Sequence, residues 1–122
     1  MSLPDNGGIS KYNTGGIRDN PEGKGAPSMI PPIGIRKIAK RYEDGASKYG
    51  ANNWQLGIPL SRYYDAIMRH LMAWAEGRVD EDHLGAVGWN MTAASWTEEQ
   101  IKLGKLPTEL NDLPFHPERF DK

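Results

Sequence analysis

The sequence predicts an all-α protomer of three helices, and three observations lead to this fold class. Apolar residues recur at three- and four-residue steps in three stretches of the segment 32–104. Proline, glycine or capping residues flank each stretch, where helices begin and end. The segments 1–31 and 105–122 are instead punctuated by Gly and Pro. We therefore predict a flexible or ligand-covering arm over 1–31, a helical domain over 32–104 and an extended, Pro-rich tail over 105–122.

The arm carries two isolated cations beside glycines. Its Gly and Pro residues are too dense for a helix or a long strand, so a loop-like arm is expected. Arg18 follows a Gly-Gly-Ile sequence, and Lys24 lies between two glycines. Backbone amides next to glycine can approach an anion closely, so both residues are candidates for ligand binding. A solvated arm without a ligand would show the same pattern.

The first two helices are bounded by clear signals. The first is predicted to begin near Pro31-Pro32 and to end near Gly50. The second is predicted to begin at Ser61, as its N-cap, and to end at Glu76. The predicted core-facing residues are Ile35, Ile38, Tyr42, Ala46 and Tyr49 in the first helix, and Tyr64, Ile67, Leu71 and Trp74 in the second. On the opposite face of the second helix, Arg62, Asp65 and Arg69 lie together, and the two arginines are candidates for phosphate binding.

The third helix opens with acidic residues, which suit the positive end of the helix dipole. It is predicted to run from Asp80-Glu81-Asp82 to about Lys102, and Gly85 and Gly88 would allow close helix packing. After Lys105 three prolines lie among charges. We expect this tail to wrap a neighbour or to fray.

The segment Gly45–Trp54 combines a cation, two aromatic rings and an amide at a helix exit. Lys48 can meet a phosphate, Tyr49 and Trp54 offer ring faces to a base, and Asn53 can bind a base edge. Together they favour a nucleotide. The alternative is that both aromatic residues pack in the core, with the following glycine as the helix stop.

A second candidate group lies on the second and third helices. His83 and Asn90 are seven residues apart, so they share one helix face and could share one pocket. His70 would face the same space if the two helices pack antiparallel. All three are candidates for ligand binding. The alternative is a structural role in which the histidines hydrogen-bond carboxylates such as Asp65 or Asp82.

The same group contains residues that could bind a metal ion. Two histidines with Asp80, Glu81 or Asp82 could supply nitrogen and oxygen ligands. The sequence contains no His-x-x-x-His or Glu-x-x-His pair, and the helix dipole already accounts for the acids. We therefore predict no metal site and no cofactor. No nucleophile in a catalytic context and no phosphate-binding glycine motif occurs either.

Composition limits the partners. With 15 basic and 16 acidic residues the net charge is −1, which argues against long nucleic acid and acidic membrane surfaces and favours a small ligand. The absence of cysteine excludes disulfides and thiolate zinc sites. No apolar run approaches a signal peptide or membrane span, so a cytoplasmic protein is expected. Four Trp residues in so small a domain predict a homo-oligomer, a dimer or tetramer, that associates near Trp74, Trp89 and Trp96.

The order of these motifs carries a family resemblance. The motifs are Gly16-Ile17-Arg18, Gly23-Lys24, Gly45-Ala46-x-Lys48-Tyr49-Gly50-x-x-Asn53-Trp54, Arg62, Arg69-His70-Leu71 and Asp82-His83-Leu84-x-Ala86-x-x-Trp89-Asn90. The chain resembles, over residues 14 to 98, a phage-borne helical family described as similar to the N-terminal domain of dATP/dGTP diphosphohydrolases.

The resemblance implies a relative of the all-α nucleotide pyrophosphohydrolases, which hold magnesium through Glu-x-x-Glu followed by Glu-x-x-Asp. This sequence contains no Glu-x-x-Glu, and Glu118-x-x-Asp121 lies in the tail. Binding without turnover is therefore expected. The chain also looks like a phage anti-CBASS sponge, which would sequester cyclic nucleotide immune signals in the cytoplasm of the infected host. The alternatives are a magnesium-dependent dATP/dGTP pyrophosphohydrolase and a helical subunit that only mediates protein contacts.

Overall fold

A computed structural model describes residues 8–115 of the chain. The start of the predicted arm and the end of the predicted tail, with Glu118 and Asp121, lie outside the described residues. The chain divides into two units, one up to Pro31 and one from Pro32 onward, and each is described by itself.

The first unit contains a short hairpin that the sequence analysis did not predict. Strand β1 (Ile9–Lys11) pairs antiparallel with β2 (Ile17–Asp19), and a single turn of 3-10 helix follows at Pro27–Met29. The connecting turn uses Gly15 with φ +89°, a conformation that glycine adopts without strain. Three-residue strands are too short to show an alternating pattern, which is why the arm was predicted to be loop-like.

The second unit contains the three predicted helices, whose existence is confirmed. They are α1 (Pro32–Tyr49), α2 (Leu60–Ala75) and α3 (His83–Lys102), with 3-10 turns at Asn53–Leu56 and Thr108–Leu110. Gly50 has φ +96° and its amide donates to the Ala46 carbonyl at 3.0 Å, so it stops α1 as predicted. No helix of residues 8–115 is both long enough and apolar enough to cross a membrane.

Helix α3 is the central helix, because it packs against both α1 and α2. The predicted close packing at glycine is confirmed, since a Cβ added at Gly88 would lie 2.6 Å from Ile38 Cγ1. The core is centred on Leu60, Tyr63, Ala93 and Ile101, against which Trp54, Ile58, Trp89, Ala94, Leu106, Leu110 and Leu113 pack. The helical unit is therefore held together mainly where the start of α2 meets the end of α3.

The predicted core face of α2 is partly wrong. Leu60 and Tyr63 are the fully buried positions, whereas Tyr64, Leu71 and Trp74 are 44%, 38% and 53% exposed. Two apolar stripes lie side by side on this helix, and periodicity alone cannot tell which one meets α3. In α1, Ile35 and Tyr49 of the predicted stripe are likewise exposed, and the intervening members are half-buried.

The indoles predicted to mediate association are mostly used inside the protomer. The Trp96 ring centroid lies 4.9 Å from that of Trp54, and the Trp89 centroid lies 5.7 Å from that of Tyr42. Trp74 is the exposed member of the set. Association into a homo-oligomer near these three indoles remains a prediction.

The start of α2 is capped by the tail and not by Ser61. Ser61 lies in the first turn of the helix, where its amide and its hydroxyl donate to the two carboxylate oxygens of Asp112 at 2.8 and 2.6 Å. Leu106, Leu110 and Leu113 pack on the core. Over residues 105–115 the tail therefore covers its own domain, which differs from the predicted extended segment.

Candidate functional site

Two adjoining cavities open beside the second half of α1. Their volumes are about 230 and 360 Å³. Gly45, Tyr49 and Trp89 line both cavities; the first is completed by Tyr42, Ala46, Gly50, Ala51, Asn53, Trp54 and Ile58, and the second by Arg41, Asp44, Lys48 and Asn90. We call the two cavities together the aromatic groove.

The apolar wall of the groove is a set of interlocking aromatic rings. Trp54 meets Tyr42 and Trp96 edge-on, at interplanar angles of 64° and 77°. The Tyr42 hydroxyl lies 2.7 Å from Thr92 Oγ1, which itself donates to the Trp89 carbonyl at 3.0 Å. Trp54 is therefore both a core residue and a wall of the cavity, which combines the two interpretations that the sequence left open.

The rim of the groove carries an exposed ring and a lysine. Tyr49 is 64% exposed, and Lys48 Nζ lies 5.2 Å from the centroid of its ring. Among residues 8–115 Lys48 has no carboxylate partner. Lys40, in contrast, lies 3.1 Å from both Glu43 and Asp44, and the hydrogen bonds to these carboxylates raise its pKa. Asp44 thus has an ion-pair partner that it shares with Glu43, whereas Lys48 has no ion-pair partner among the described residues.

Asn90 lines the groove, and His83 lines a different depression. The Asn90 side chain is 7% exposed, and its Nδ2 donates to the Ala86 carbonyl at 2.8 Å. His83 instead lines an open depression at the start of α3, together with Lys37, Trp74, Arg78, Val79, Glu81, Asp82 and Leu84. The expectation that His70, His83 and Asn90 share one pocket therefore stays a prediction.

The two histidines do meet, as antiparallel packing of α2 and α3 predicted. His70 Nδ1 lies 2.9 Å from His83 Nδ1, and His83 Nε2 lies 2.9 Å from Asp80 Oδ1. Burial lowers the pKa of His70, and the hydrogen bond from His83 lowers the pKa of Asp80. We call His70, Asp80, Glu81 and His83 the histidine corner.

Glu81 joins the corner to α1. Arg41 donates to Glu81 Oε1 at 2.7 Å, and this hydrogen bond lowers the pKa of Glu81. One ligand atom each from His70, Glu81 and His83 lie within 4.8 Å of one another. The spacing argument against a metal site did not anticipate this group, because its members come from two helices and the connection between them.

Asp82 is the N-cap of α3, as expected for one of the three acids at its start. Its side chain accepts from the Gly85 amide at 3.0 Å. Asp80 and Glu81 precede the helix, which begins three residues later than predicted, and they bind His83 and Arg41 instead.

The remaining candidate residues lie on α2 and in the first unit. Arg62 is exposed on α2, and Arg69 pairs with Asp65 one turn earlier on the same helix. Arg18 lies in β2 and Lys24 in the turn that follows, both in the first unit. Sequence reasoning missed Arg41 as a groove residue. A usable signal exists, because Arg41 precedes Lys48 by seven residues and so shares its helix face.

The tail contains a second Glu-x-x-Asp spacing, Glu109-x-x-Asp112. Asp112 is held by Ser61 at the start of α2. Its carboxylate therefore has a capping role.

Comparison with known proteins finds one family and one relative that are similar to this chain in sequence. The family model for the dATP/dGTP diphosphohydrolase N-terminal region matches residues 14–105. A dATP/dGTP diphosphohydrolase of Salmonella phage PMBT28 is 33% identical over 64 residues, which are 52% of this chain and 22% of the phage protein. The chain thus matches about a fifth of that relative's length. No solved structure matches.

Proposed function

The chain belongs to the dATP/dGTP diphosphohydrolase N-terminal family, and on that premise we propose that the aromatic groove binds a nucleotide and retains it without cleaving it. One observation carries the proposal. Lys48, which lacks a carboxylate partner among the described residues, lies beside the exposed Tyr49 ring at the edge of an aromatic cavity. A cation without an ion-pair partner next to an apolar wall suits a ligand with a flat ring and an anionic group.

The groove residues divide into roles by their chemistry. Tyr49 stacks on the base, and Trp54 forms the wall behind it. Asn53 and Asn90 supply amide groups to base edges. Lys48 meets a phosphate as a point charge.

The ligand class that we propose is a cyclic dinucleotide, sequestered as an immune signal in the cytoplasm of a bacterial host. Such a ligand has two phosphates, so it needs cations beyond Lys48. The candidates are Arg18, Lys24, Arg62 and Arg69, with His70 and His83 as further polar contacts. We propose a homo-oligomer in which a second protomer brings some of these residues to the groove.

A magnesium-dependent dATP/dGTP pyrophosphohydrolase is the second candidate, and the description of the family favours it. Cleavage of a phosphoanhydride requires neutralisation of charge on the phosphates, commonly by metal ions held on carboxylates. The groove carboxylate Asp44 is paired with Lys40 at 3.1 Å. Among the described residues that line the groove Asp44 is the only carboxylate, which supports retention over cleavage.

One experiment separates the two functions. The full chain is incubated with cyclic dinucleotides, dATP and dGTP, with magnesium in one arm and excess EDTA in the other. The protein is recovered by filtration and heated, and the released material is identified by chromatography. We expect an unmodified cyclic dinucleotide in both arms. Magnesium-dependent formation of pyrophosphate from dATP or dGTP would overturn the proposal.

A matched pair of variants tests the groove itself. A Cβ at Gly45 or at Gly34 in α1 meets no atom within 4 Å, and Gly45 lines the groove. Gly45→Leu should fill the cavity and weaken ligand binding at least tenfold, while Gly34→Leu should leave it unchanged. Equal affinity of both variants would place the ligand elsewhere.

A further inference from the structure

We propose that His70, Glu81 and His83 form a binding site for a zinc-like transition-metal ion. The three ligand atoms lie within 4.8 Å of one another, and the two imidazole nitrogens lie 2.9 Å apart. None of the three residues lines the aromatic groove, and the test below uses no nucleotide, so its failure is distinguishable from failure of the proposed function.

The distances need little adjustment to hold an ion. With metal–nitrogen bonds of about 2.0–2.1 Å in a tetrahedral site, two ligand nitrogens are about 3.4 Å apart. The two Nδ1 atoms would therefore separate by about 0.5 Å. The Glu81 side chain is 41% exposed, so it has room to turn its carboxylate toward the ion.

The arrangement around His83 is what a metal-binding imidazole requires. His83 is 7% exposed, and its Nε2 faces Asp80 Oδ1 at 2.9 Å. A carboxylate that accepts this N–H keeps the proton on Nε2 and leaves the Nδ1 lone pair free for the ion. The contact with His70 Nδ1 lies on that free side.

The ligand set also indicates the class of metal. Two imidazoles and one carboxylate suit zinc, cobalt or nickel, whereas magnesium prefers an all-oxygen shell. Glu81 and His83 line an open depression, which gives an ion a path from solvent and leaves room for water as a fourth ligand. Bound metal would join α2 to the connection that leads into α3.

The test uses the full, untagged chain after removal of metals with a chelator. Cobalt is titrated in, and its visible absorption reports the coordination geometry. Zinc is then added in competition, and the thermal unfolding midpoint is followed as a second readout. We expect a tetrahedral cobalt spectrum that zinc abolishes, an unfolding midpoint that rises with zinc concentration, and no response to magnesium.

Four variants assign the ligands. His70→Gln and His83→Gln should each abolish the tetrahedral spectrum; His70 is only half-buried, so its variant tests the site even if His83→Gln fails to fold. Asp80→Asn should weaken cobalt binding about 10–100-fold. Glu76→Gln, which changes a carboxylate paired with Arg78 in the same connection, should bind like the parent protein.

Two results would overturn the proposal. One is a tetrahedral cobalt spectrum that survives in folded His70→Gln protein. The other is absence of any cobalt spectrum and of any zinc effect on the unfolding midpoint in the parent protein. The proposal would also be overturned if a variant of His116, the third histidine of the chain, lost cobalt binding while His70→Gln kept it, because the ion would then bind elsewhere.

Discussion

The aromatic groove is lined by α1, the connection after it and α3, whereas the histidine corner joins α2 to the start of α3, and the two are held together by different interactions. The groove is held by ring contacts such as Trp54 on Trp96, with centroids 4.9 Å apart, and it leaves Lys48 without an ion-pair partner among the described residues. In the corner nearly every polar group already has a partner, as Arg41 has Glu81 at 2.7 Å and His83 has Asp80 at 2.9 Å.

This difference shows that α3 contributes residues to two separate sites. His83 and Asn90 lie on one face of α3, but two turns of helix separate their positions by about 10 Å along its axis. One belongs to the corner and the other to the groove. A lysine without an ion-pair partner beside an apolar wall suits an incoming anion, whereas clustered imidazoles with a carboxylate suit a cation.

The largest loss of stability is expected when a ring that holds the groove together is removed. Trp54→Ala should lower the free energy of unfolding by about 3 kcal/mol, because it leaves a void between Tyr42 and Trp96. Chemical denaturation measures the effect. Trp74→Ala, which removes an indole that is 53% exposed, is the control and should cost less than about 1 kcal/mol. Equal losses of unfolding free energy in the two variants would mean that the ring contacts of Trp54 do not hold the groove together.

A substitution at the rim of the groove should change ligand affinity without changing the stability of the protein. Tyr49→Ala should weaken cyclic dinucleotide binding by about 1–3 kcal/mol if its exposed ring stacks on a base. The free energy of unfolding should change by less than about 0.5 kcal/mol. Calorimetric titration gives the affinity, and Tyr64→Ala on α2 is the control for loss of an exposed tyrosine. Unchanged affinity in Tyr49→Ala would remove this residue from the site.

Removal of the Asp112 cap on α2 tests whether the tail stabilises the helical unit. Asp112→Ala should cost about 0.5–2 kcal/mol at neutral pH, because the amide and hydroxyl of Ser61 lose their acceptors. Burial by itself would raise the pKa of Asp112, but the hydrogen bonds from Ser61 outweigh it and hold the pKa below the ordinary value of 3.8. Glu109→Ala, another acid of the tail, should have little effect.

The sign of the pH dependence follows from the lowered pKa. The ionised Asp112 is favoured in the folded state, so its contribution is present above the unfolded pKa and is lost as the pH falls through the folded pKa. The stability difference between the parent protein and Asp112→Ala should therefore shrink in acid. A difference that grows with acidification would contradict this role.

The smallest effect is expected on the exposed face of α2. Asp65→Ala removes the partner of Arg69, and both side chains are more than 60% exposed. The loss should be about 0.3–0.5 kcal/mol and should disappear in high salt. Thermal unfolding at two salt concentrations measures it. A salt-independent loss above about 1 kcal/mol would show that this face is buried against a partner.

The sequence alone determined the elements that depend on neighbours along the chain. Apolar periodicity and the Gly and Pro signals located three helices, Gly50 was recognisable as the end of α1, and the acids at 80–82 marked the start of α3 to within three residues. The Gly45–Trp54 segment pointed to the groove because a helix exit and its loop bring nearby residues together. These features follow from backbone geometry within a few residues.

Only the tertiary structure decided the features that join distant residues. Asp112 caps a helix that begins 52 residues earlier, at Leu60. His70 meets Glu81 and His83 through the packing of α2 on α3. Leu60 and Tyr63 are buried where Tyr64 and Leu71 were expected. Such choices depend on which surfaces fit together, and a helix with two adjacent apolar stripes leaves that choice to its packing partners.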